Sequence, residues 1–229
     1  MSRQILIPAF IPCLVNENIA SRENMGTKKG YELLNEYHRK CKIKYGDYYI
    51  LKCDISKFFA SINKEILKEK IIKKIKDKDA INIIFKIIDS EQEGLGIGNM
   101  TSQILAIFYL NDMDHFIKEH LKIKYYIRYQ DDFILFHESK PYLKYCFQEI
   151  QAFLKKEKLE LNRKSRLYKN TNNFIFLGKD KNGKYSKYRN VRRKLKKKRF
   201  LYKEGKINLF SLVSSLNSYD YLCGRKINI

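Results

Sequence analysis

Three short stretches of this chain carry residue types that can do chemistry on phosphates. In "YQDD", Asp131 and Asp132 stand side by side between two runs rich in β-formers, at what should be a tight turn. Well upstream, Asp54 closes the strand-like run "DYYILKCD" and is followed by "ISKFF". Between them "GIGNMTSQ", residues 96–103, sets glycines ahead of an apolar helix-like segment, and glycine lets backbone amides come close to a ligand. The Asp pair has two readings. In one it is a solvated hairpin turn, where exposed like charges repel only weakly. In the other the carboxylates face inward and divalent cations neutralise them. A strand-end Asp beside a hairpin-tip Asp on the neighbouring strand then supplies hard oxygen donors on rigid elements. Nucleotidyl transfer asks for such donors, to hold two Mg²⁺ ions about 4 Å apart, one at the attacking hydroxyl and one at the triphosphate.

These residues need a scaffold. "DYYILKCD" reads as a strand by its Tyr and Ile content, and residues 125–129 and 133–136 as a hairpin across the Asp pair. Residues 1–46 read as irregular, with a loop over 24–30 and a short helix over 31–40. Ile66, Leu67, Ile71, Ile75, Ile83, Ile84 and Ile87 recur at helical spacing, as two helices between 63 and 88. Residues 101–121 read as one buried helix, apolar nearly all round at first, with Thr101 and Ser102 suited to its N-cap. Leu143, Phe147, Ile150 and Leu154 share the face of a helix packed on the sheet. Asn182-Gly183 is a hairpin-turn signal. Beyond it come "RRKLKKKRF", residues 192–200, and a mildly apolar helix over 209–222. Helices mixed with hairpins, without regular βαβ alternation, predict an α+β architecture.

The 229 residues suffice for one sizeable domain with subdomains. With 44% hydrophobic and 14% aromatic residues the chain can bury a core, which argues against global disorder. Its 47 basic against 25 acidic residues give a net charge of +22. That excess points to a polyanion partner, since neutralising phosphates releases counterions. A membrane surface is the rival polyanion, but no apolar run approaches the ~18 residues needed to span and no signal peptide opens the chain. Cys13, Cys41, Cys53, Cys146 and Cys223 are scattered, odd in number and without CxxC pairs. They read as reduced thiols of a cytoplasmic protein, with Cys53 and Cys146 ordinary buried residues. His115 and His120 read as helix-surface or satisfied residues, not ligands.

In order and spacing these motifs resemble the reverse transcriptases, from about Ile19 to about Tyr188. "LKCDISKFFASI" is similar to the palm motif with the first metal-binding Asp, "YQDD" to the YxDD box, and "IGNMTSQ" to the primer–template and nucleotide-binding loop. "LNRKSRL" and "FLGK" sit where the family has its lysine motif and primer grip. Many members read QGxxxSP in the nucleotide loop. The IGxxxSQ form here, with "SRENMGTKKG" before the palm and "YLNDMDHFIKEHL" after the loop, most resembles diversity-generating retroelement enzymes of prokaryotes. Other prokaryotic and defence-associated reverse transcriptases share parts of the pattern.

The resemblance implies a right-hand polymerase palm, an antiparallel sheet packed on helices, over 47–188. It implies partial fingers over 1–46 and a short, basic, helical partial thumb over 189–229. It makes Asp54, Asp131 and Asp132 ligands of two Mg²⁺ ions, for which Mn²⁺ can substitute, with the Ile55 carbonyl completing one shell. Phe59 matches the steric gate that excludes a ribose 2′-hydroxyl; its other reading is a core aromatic beside Phe58. Lys164 is the acid that protonates pyrophosphate, or else a solvated lysine. Arg22 pairs with the triphosphate. Ile97, Gly98 and Gln103 belong to the nucleotide-binding loop, and Leu177 and Gly178 to the primer grip. The basic run Arg192, Arg193, Lys194, Lys196, Lys197, Lys198 and Arg199 reads as phosphate-backbone contact or as a solvated charged face. Implied partners are an RNA template, a DNA or RNA primer, dNTPs and, given the short fingers and thumb, an accessory protein supplying clamp surface. The expected activity is RNA-templated DNA synthesis, error-prone if the retroelement likeness holds. The alternatives are a defence-associated or untemplated DNA polymerase, and an inactive RNA-binding relative.

Overall fold

The chain opens helical rather than irregular. The structure is a computed structural model and describes residues 2–180, 188–209 and 211–213. A π-helical turn (Ser2–Leu6) leads into helix α1 (Ile7–Phe10) and a 3₁₀ turn (Ile11–Cys13). Pro8 and Pro12 fall in first turns, where a missing N–H costs nothing. Phe10 is fully buried and stacks on Phe108 with centroids 3.9 Å apart. Helix α2 (Thr27–Tyr45) runs between Gly26 and Gly46, both at positive φ, and outreaches the predicted 31–40 at both ends. The difference lies in Gly30. A mid-helix glycine costs about 1 kcal/mol, but here it shares the buried face with Leu34, Tyr37 and Cys41, and packing outweighs propensity.

Strand β1 (Tyr49–Asp54) and the short helix α3 (Phe58–Ser61) follow. The predicted pair of helices is α4 (Lys64–Lys74) and α5 (Lys78–Asp89), capped by the Asn63 and Asp77 side chains. The segment read as one buried helix is broken into α6 (Met100–Tyr109), α7 (Asn111–His115) and a π-helical turn (Phe116–His120). Its cap is Asn99, whose Oδ1 accepts from the Ser102 N–H at 2.6 Å. Thr101 and Ser102 lie inside the helix, where Ser102 is buried. Strands β2 (Tyr125–Tyr129) and β3 (Asp132–His137) form the expected hairpin. Helix α8 (Lys140–Lys156) buries Leu143, Cys146, Ile150 and Leu154, and β4 (Arg166–Lys169) closes the sheet. Cys13, Cys41, Cys53 and Cys146 are free thiols, the last three buried.

The four strands pair antiparallel in the order β2-β3-β1-β4. Side chains alternate across a sheet. Leu51, Cys53, Phe133 and Leu135 therefore face a core built with Leu67 and Ile71 of α4, Ile84 of α5, Leu105 of α6 and Leu143 of α8. On the opposite face α2 lays Tyr37 against Tyr125 and Phe136. The same face at the other end of β1 presents Lys52 and Asp54, both only partly buried. The outer edge of β2 is engaged by the N-terminal loop, where the Arg128 N–H donates to the Glu17 carbonyl and the Ile19 N–H to the Arg128 carbonyl.

The chain divides at Asn172/Asn173 into two units. In the second, β5 (Ile175–Phe176) and β6 (Lys179–Asp180) form a small hairpin turning on Leu177 and Gly178. Both turn residues lie at positive φ, +51° and +85°, the type I′ pattern. The turn expected at Asn182-Gly183 lies outside the described residues. Helix α9 (Tyr188–Lys203) contains the basic run. Of the helix expected over 209–222, residues 209 and 211–213 are helical, and residue 210 and those after Val213 lie outside the described residues. No helix among the described residues is long and apolar enough to cross a membrane.

Candidate active site

The register of one hairpin decides where the carboxylates sit. Asp132 opens β3 and lies directly opposite Asp54, the last residue of β1. Directly opposed residues on antiparallel strands hold their Cβ atoms about 5 Å apart on one face. Gln130 and Asp131 form the two-residue connection between the paired Tyr129 and Asp132, with Gln130 in the left-handed region at φ +56°. Past the last strand pair the Ile55 N–H donates to the Asp131 carbonyl at 3.3 Å, tying the end of β1 to the turn. Asp54 is anchored in turn by the loop before β4. The Asn162 N–H donates to the Asp54 carbonyl at 2.7 Å, and the Asp54 N–H donates to Ser165 Oγ at 3.3 Å.

Negative charge is concentrated here. Burial raises the Asp132 carboxyl, and Asp54 and Asp131 add to it against the pull of Lys52, leaving it at about 6. Burial also raises Asp131, with Asp54 adding its repulsion. Lys52, two residues before Asp54 and on the same face, reaches diagonally across the sheet. Its Nζ donates to Asp132 Oδ1 at 2.7 Å. Among the described residues no three ligating side chains converge into a finished metal cage. What the fold assembles is an in-register carboxylate pair, a third carboxylate in the adjoining turn, and an excess of negative charge. Those hard oxygen donors fit a divalent cation such as Mg²⁺.

Further groups are drawn toward the turn by side-chain links. Gln130 Nε2 donates to Ser21 Oγ at 3.0 Å, and the Ser21 hydroxyl donates to Gln103 Oε1 at 3.1 Å. The second residue of YQDD is thus joined to the N-terminal loop and to α6. Arg22 uses Nη1 on the Val15 and Asn18 carbonyls of its own loop, both at 2.9 Å. It also lines a 790 Å³ cleft with Ser21, Met25 and Met100. Ile97 stands 86% exposed, and Gly98 holds φ +106°, a conformation that a side chain would strain. Of the two adjacent phenylalanines, Phe58 is buried in the core and Phe59 is only partly covered. The Phe59 carbonyl accepts from the Leu95 N–H at 2.8 Å, and Gly94 packs so tightly there that a Cβ would lie 2.1 Å from that oxygen. Lys164 is exposed on the loop that anchors Asp54. His115 is bonded through both ring nitrogens, to Glu119 and to the Cys13 carbonyl, and His120 stacks on Phe116.

Leu177, Gly178 and the basic helix belong to the second unit. On α9, Lys194, Lys196, Lys197 and Arg199 are exposed, Lys198 is partly buried and Leu195 is buried. The side chains of Arg192 and Arg193 lie outside the described set.

Sequence reasoning overlooked Lys52, Ser165, Gln130, Ser21 and Asn162. For Lys52 a signal existed, because a cation two residues before a strand-end Asp must share its face. For the others none did, since their contacts span up to 111 residues of chain.

The family model for reverse transcriptase (RNA-dependent DNA polymerase) matches residues 4–180. Among solved structures, apo telomerase from Candida tropicalis truncated from its C-terminal domain aligns at TM-score 0.64 and 17% identity, covering 78% of this chain and 42% of that one. Telomerases from Candida tropicalis and Candida albicans in complex with a TWJ fragment of telomeric RNA give TM-scores of 0.61 and 0.60 at 18% and 12% identity. They cover 78% of this chain and 35% and 37% of theirs. The chain therefore spans less than half the length of these structures. No curated protein matches it. At such identities the likeness establishes the fold, an α+β polymerase palm with an antiparallel sheet on helices.

Proposed function

Because the chain belongs to the reverse transcriptase (RNA-dependent DNA polymerase) family, we propose that it extends a DNA or RNA primer with dNTPs along an RNA template. The observation that carries this reading is the opposition of Asp54 and Asp132 beside Asp131, at the partly exposed ends of β1 and β3. Asp54, Asp131, Asp132 and the Ile55 carbonyl would hold the divalent ions. When bound, such ions activate the primer hydroxyl and neutralise the triphosphate. Lys52 keeps Asp132 oriented, Arg22 and the 97–103 loop receive the nucleotide, Phe59 excludes the ribose 2′-hydroxyl, and Lys164 delivers a proton to pyrophosphate. Leu177 and Gly178 support the primer. The deciding experiment is primer extension on a defined RNA template, with Mg²⁺ present or chelated, and with the template omitted. Extension that needs both template and Mg²⁺ supports the reading. Extension without template makes this an untemplated polymerase, and RNA binding without extension makes it a binding module.

We further propose that α9 holds the nucleic-acid backbone. The support is a basic run with exposed Lys194, Lys196, Lys197 and Arg199. Binding to a primer–template should weaken steeply with salt, and each charge reversed in this run should flatten the log–log slope by roughly one unit per lost phosphate contact. Filter binding between low and moderate salt reads this out, and an unchanged slope returns the run to a merely solvated face.

The finer assignment, a diversity-generating retroelement enzyme, rests on the IGxxxSQ loop form and the motifs that flank it, and the low fidelity expected of it rests on Ile97. It is a branched apolar side chain, 86% exposed, at a position where many relatives place a hydrogen-bonding glutamine. Base selection works on small differences, about 1.4 kcal/mol per tenfold. One missing contact therefore raises misincorporation by about an order of magnitude, and the retroelement likeness implies that the errors concentrate opposite template adenines. Ile97→Gln should lower the error rate by that factor in cDNA sequenced from an adenine-containing template. Faithful copying of adenines by the parent protein would sink the retroelement assignment while leaving the polymerase reading in place.

A further inference from the structure

Behind the carboxylate turn lies a fully buried ion pair that the proposed chemistry does not use. Arg128, on β2 three residues before Asp131, and Asp114, on α7, are each 0% exposed. The guanidinium grips the carboxylate as a fork, with Nε to Asp114 Oδ1 at 2.7 Å and Nη2 to Asp114 Oδ2 at 2.5 Å. The Tyr126 hydroxyl also donates to Asp114 Oδ1, at 2.6 Å. Two further guanidinium bonds reach backbone carbonyls. Nη2 donates to Ile107 at the end of α6 at 3.0 Å, and Nη1 donates to Gln130 in the turn at 2.9 Å. Burying this pair is expensive, and an apolar pair of similar volume is often at least as stable. Stability alone therefore does not account for it.

Geometry supplies a reason. The Gln130 carbonyl belongs to the peptide that leads into Asp131, and Gln130 holds φ +56°, a region that non-glycine residues visit at a cost. The Ile55 N–H holds the next carbonyl, that of Asp131, and Ser21 Oγ holds the Gln130 side chain, while the Arg128 guanidinium holds the Gln130 carbonyl itself. We propose that Arg128 is a positioning residue for the catalytic turn. Gripped by Asp114 and Tyr126, its guanidinium locks the Gln130 carbonyl, and with it the direction in which Asp131 and Asp132 present their carboxylates. Arginine suits the task because its planar fork serves the carboxylate and two carbonyls at once, which a lysine ammonium does not do. The inference rests on the polymerase reading for its kinetic arm alone.

The test separates positioning from packing. Arg128→Met/Asp114→Asn removes both buried charges together, keeps an acceptor for the Tyr126 hydroxyl and releases the Gln130 carbonyl. Arg128→Lys keeps a cation beside Asp114 but loses the fork. Mn²⁺ binding to the full-length protein, titrated by electron paramagnetic resonance without nucleic acid, should weaken about tenfold in both variants. In primer extension kcat should fall on the order of 10- to 100-fold while KM for primer–template stays unchanged, with both variants melting cooperatively above the assay temperature. Wild-type Mn²⁺ affinity and kcat in either cooperatively folded variant would overturn the proposal. Full rescue by Arg128→Lys would do the same, because charge and not the fork would then suffice. The Mn²⁺ titration needs no template, so a parent protein that fails to polymerise counts against the polymerase reading and leaves this comparison readable.

Discussion

Asp131→Asn/Asp132→Asn protein should extend no primer yet melt at the same or a higher temperature than the parent. Metal-ion stabilisation of a transferring phosphoryl group is worth several kcal/mol. At about 1.4 kcal/mol per tenfold, its loss costs roughly three orders of magnitude in rate. The stability arm follows from the raised carboxyls. Asp132 titrates near 6 in the fold against an ordinary 3.8, so the folded state binds the extra proton between those values. Stability through this group therefore falls as pH rises from about 3.8 to about 6, and stays lowered above that. Asparagine removes the penalty at neutral pH and keeps an oxygen for the Lys52 ammonium, which sits 2.7 Å from Asp132 Oδ1. Primer extension paired with thermal melts at pH 5 and pH 7.5 checks both arms. Retained synthesis would end the two-metal assignment. A large drop in melting temperature at pH 7.5 would mean that the carboxylates support the fold rather than strain it.

The second large effect is expected at Phe59. Phe58 is 2% exposed, inside the core, while Phe59 is only partly covered and its backbone is pinned by the Leu95 N–H and by close-packed Gly94. A ring whose backbone is held from behind is a rigid wall, which a gate against one hydroxyl requires. Removing it should raise ribonucleotide incorporation relative to deoxynucleotide by 10- to 100-fold, the range that small steric differences in a pocket command. Phe58→Ala is the control. It should lower stability by roughly 3–5 kcal/mol without relaxing sugar selection. Single-turnover incorporation of matched dNTP and rNTP pairs measures the ratio. Unchanged discrimination in Phe59→Ala would assign the ring to packing.

The elements nearest the chemistry were the most legible in the sequence. Strand β1 and the hairpin follow from their β-forming residues, and α8 from its apolar stripe. The misjudged parts have specific physical causes. Gly30 reads as loop chemistry until the buried face it shares with Leu34 and Tyr37 is known. The 101–121 segment is apolar enough for one helix, and periodicity does not reveal that the backbone loosens into a π-turn after His115. That Asp54, Asp131 and Asp132 meet at one end of the sheet could be read from residue type and spacing. The Arg128–Asp114 brace could not, because its members stand on separate elements and a lone Arg or Asp carries no sign of its partner.

The two-residue turn at Gln130-Asp131 has a consequence for how this chain can vary. Because side chains alternate with a period of two, a single inserted or deleted residue that slips the hairpin by one position exchanges its faces. Phe133 and Leu135 would leave the core and Asp132 would enter it, so folding and chemistry would fail in one event. Point changes at the turn can be sampled one at a time, but length changes there cannot. Only length changes that keep Tyr129 paired with Asp132 in register escape this penalty.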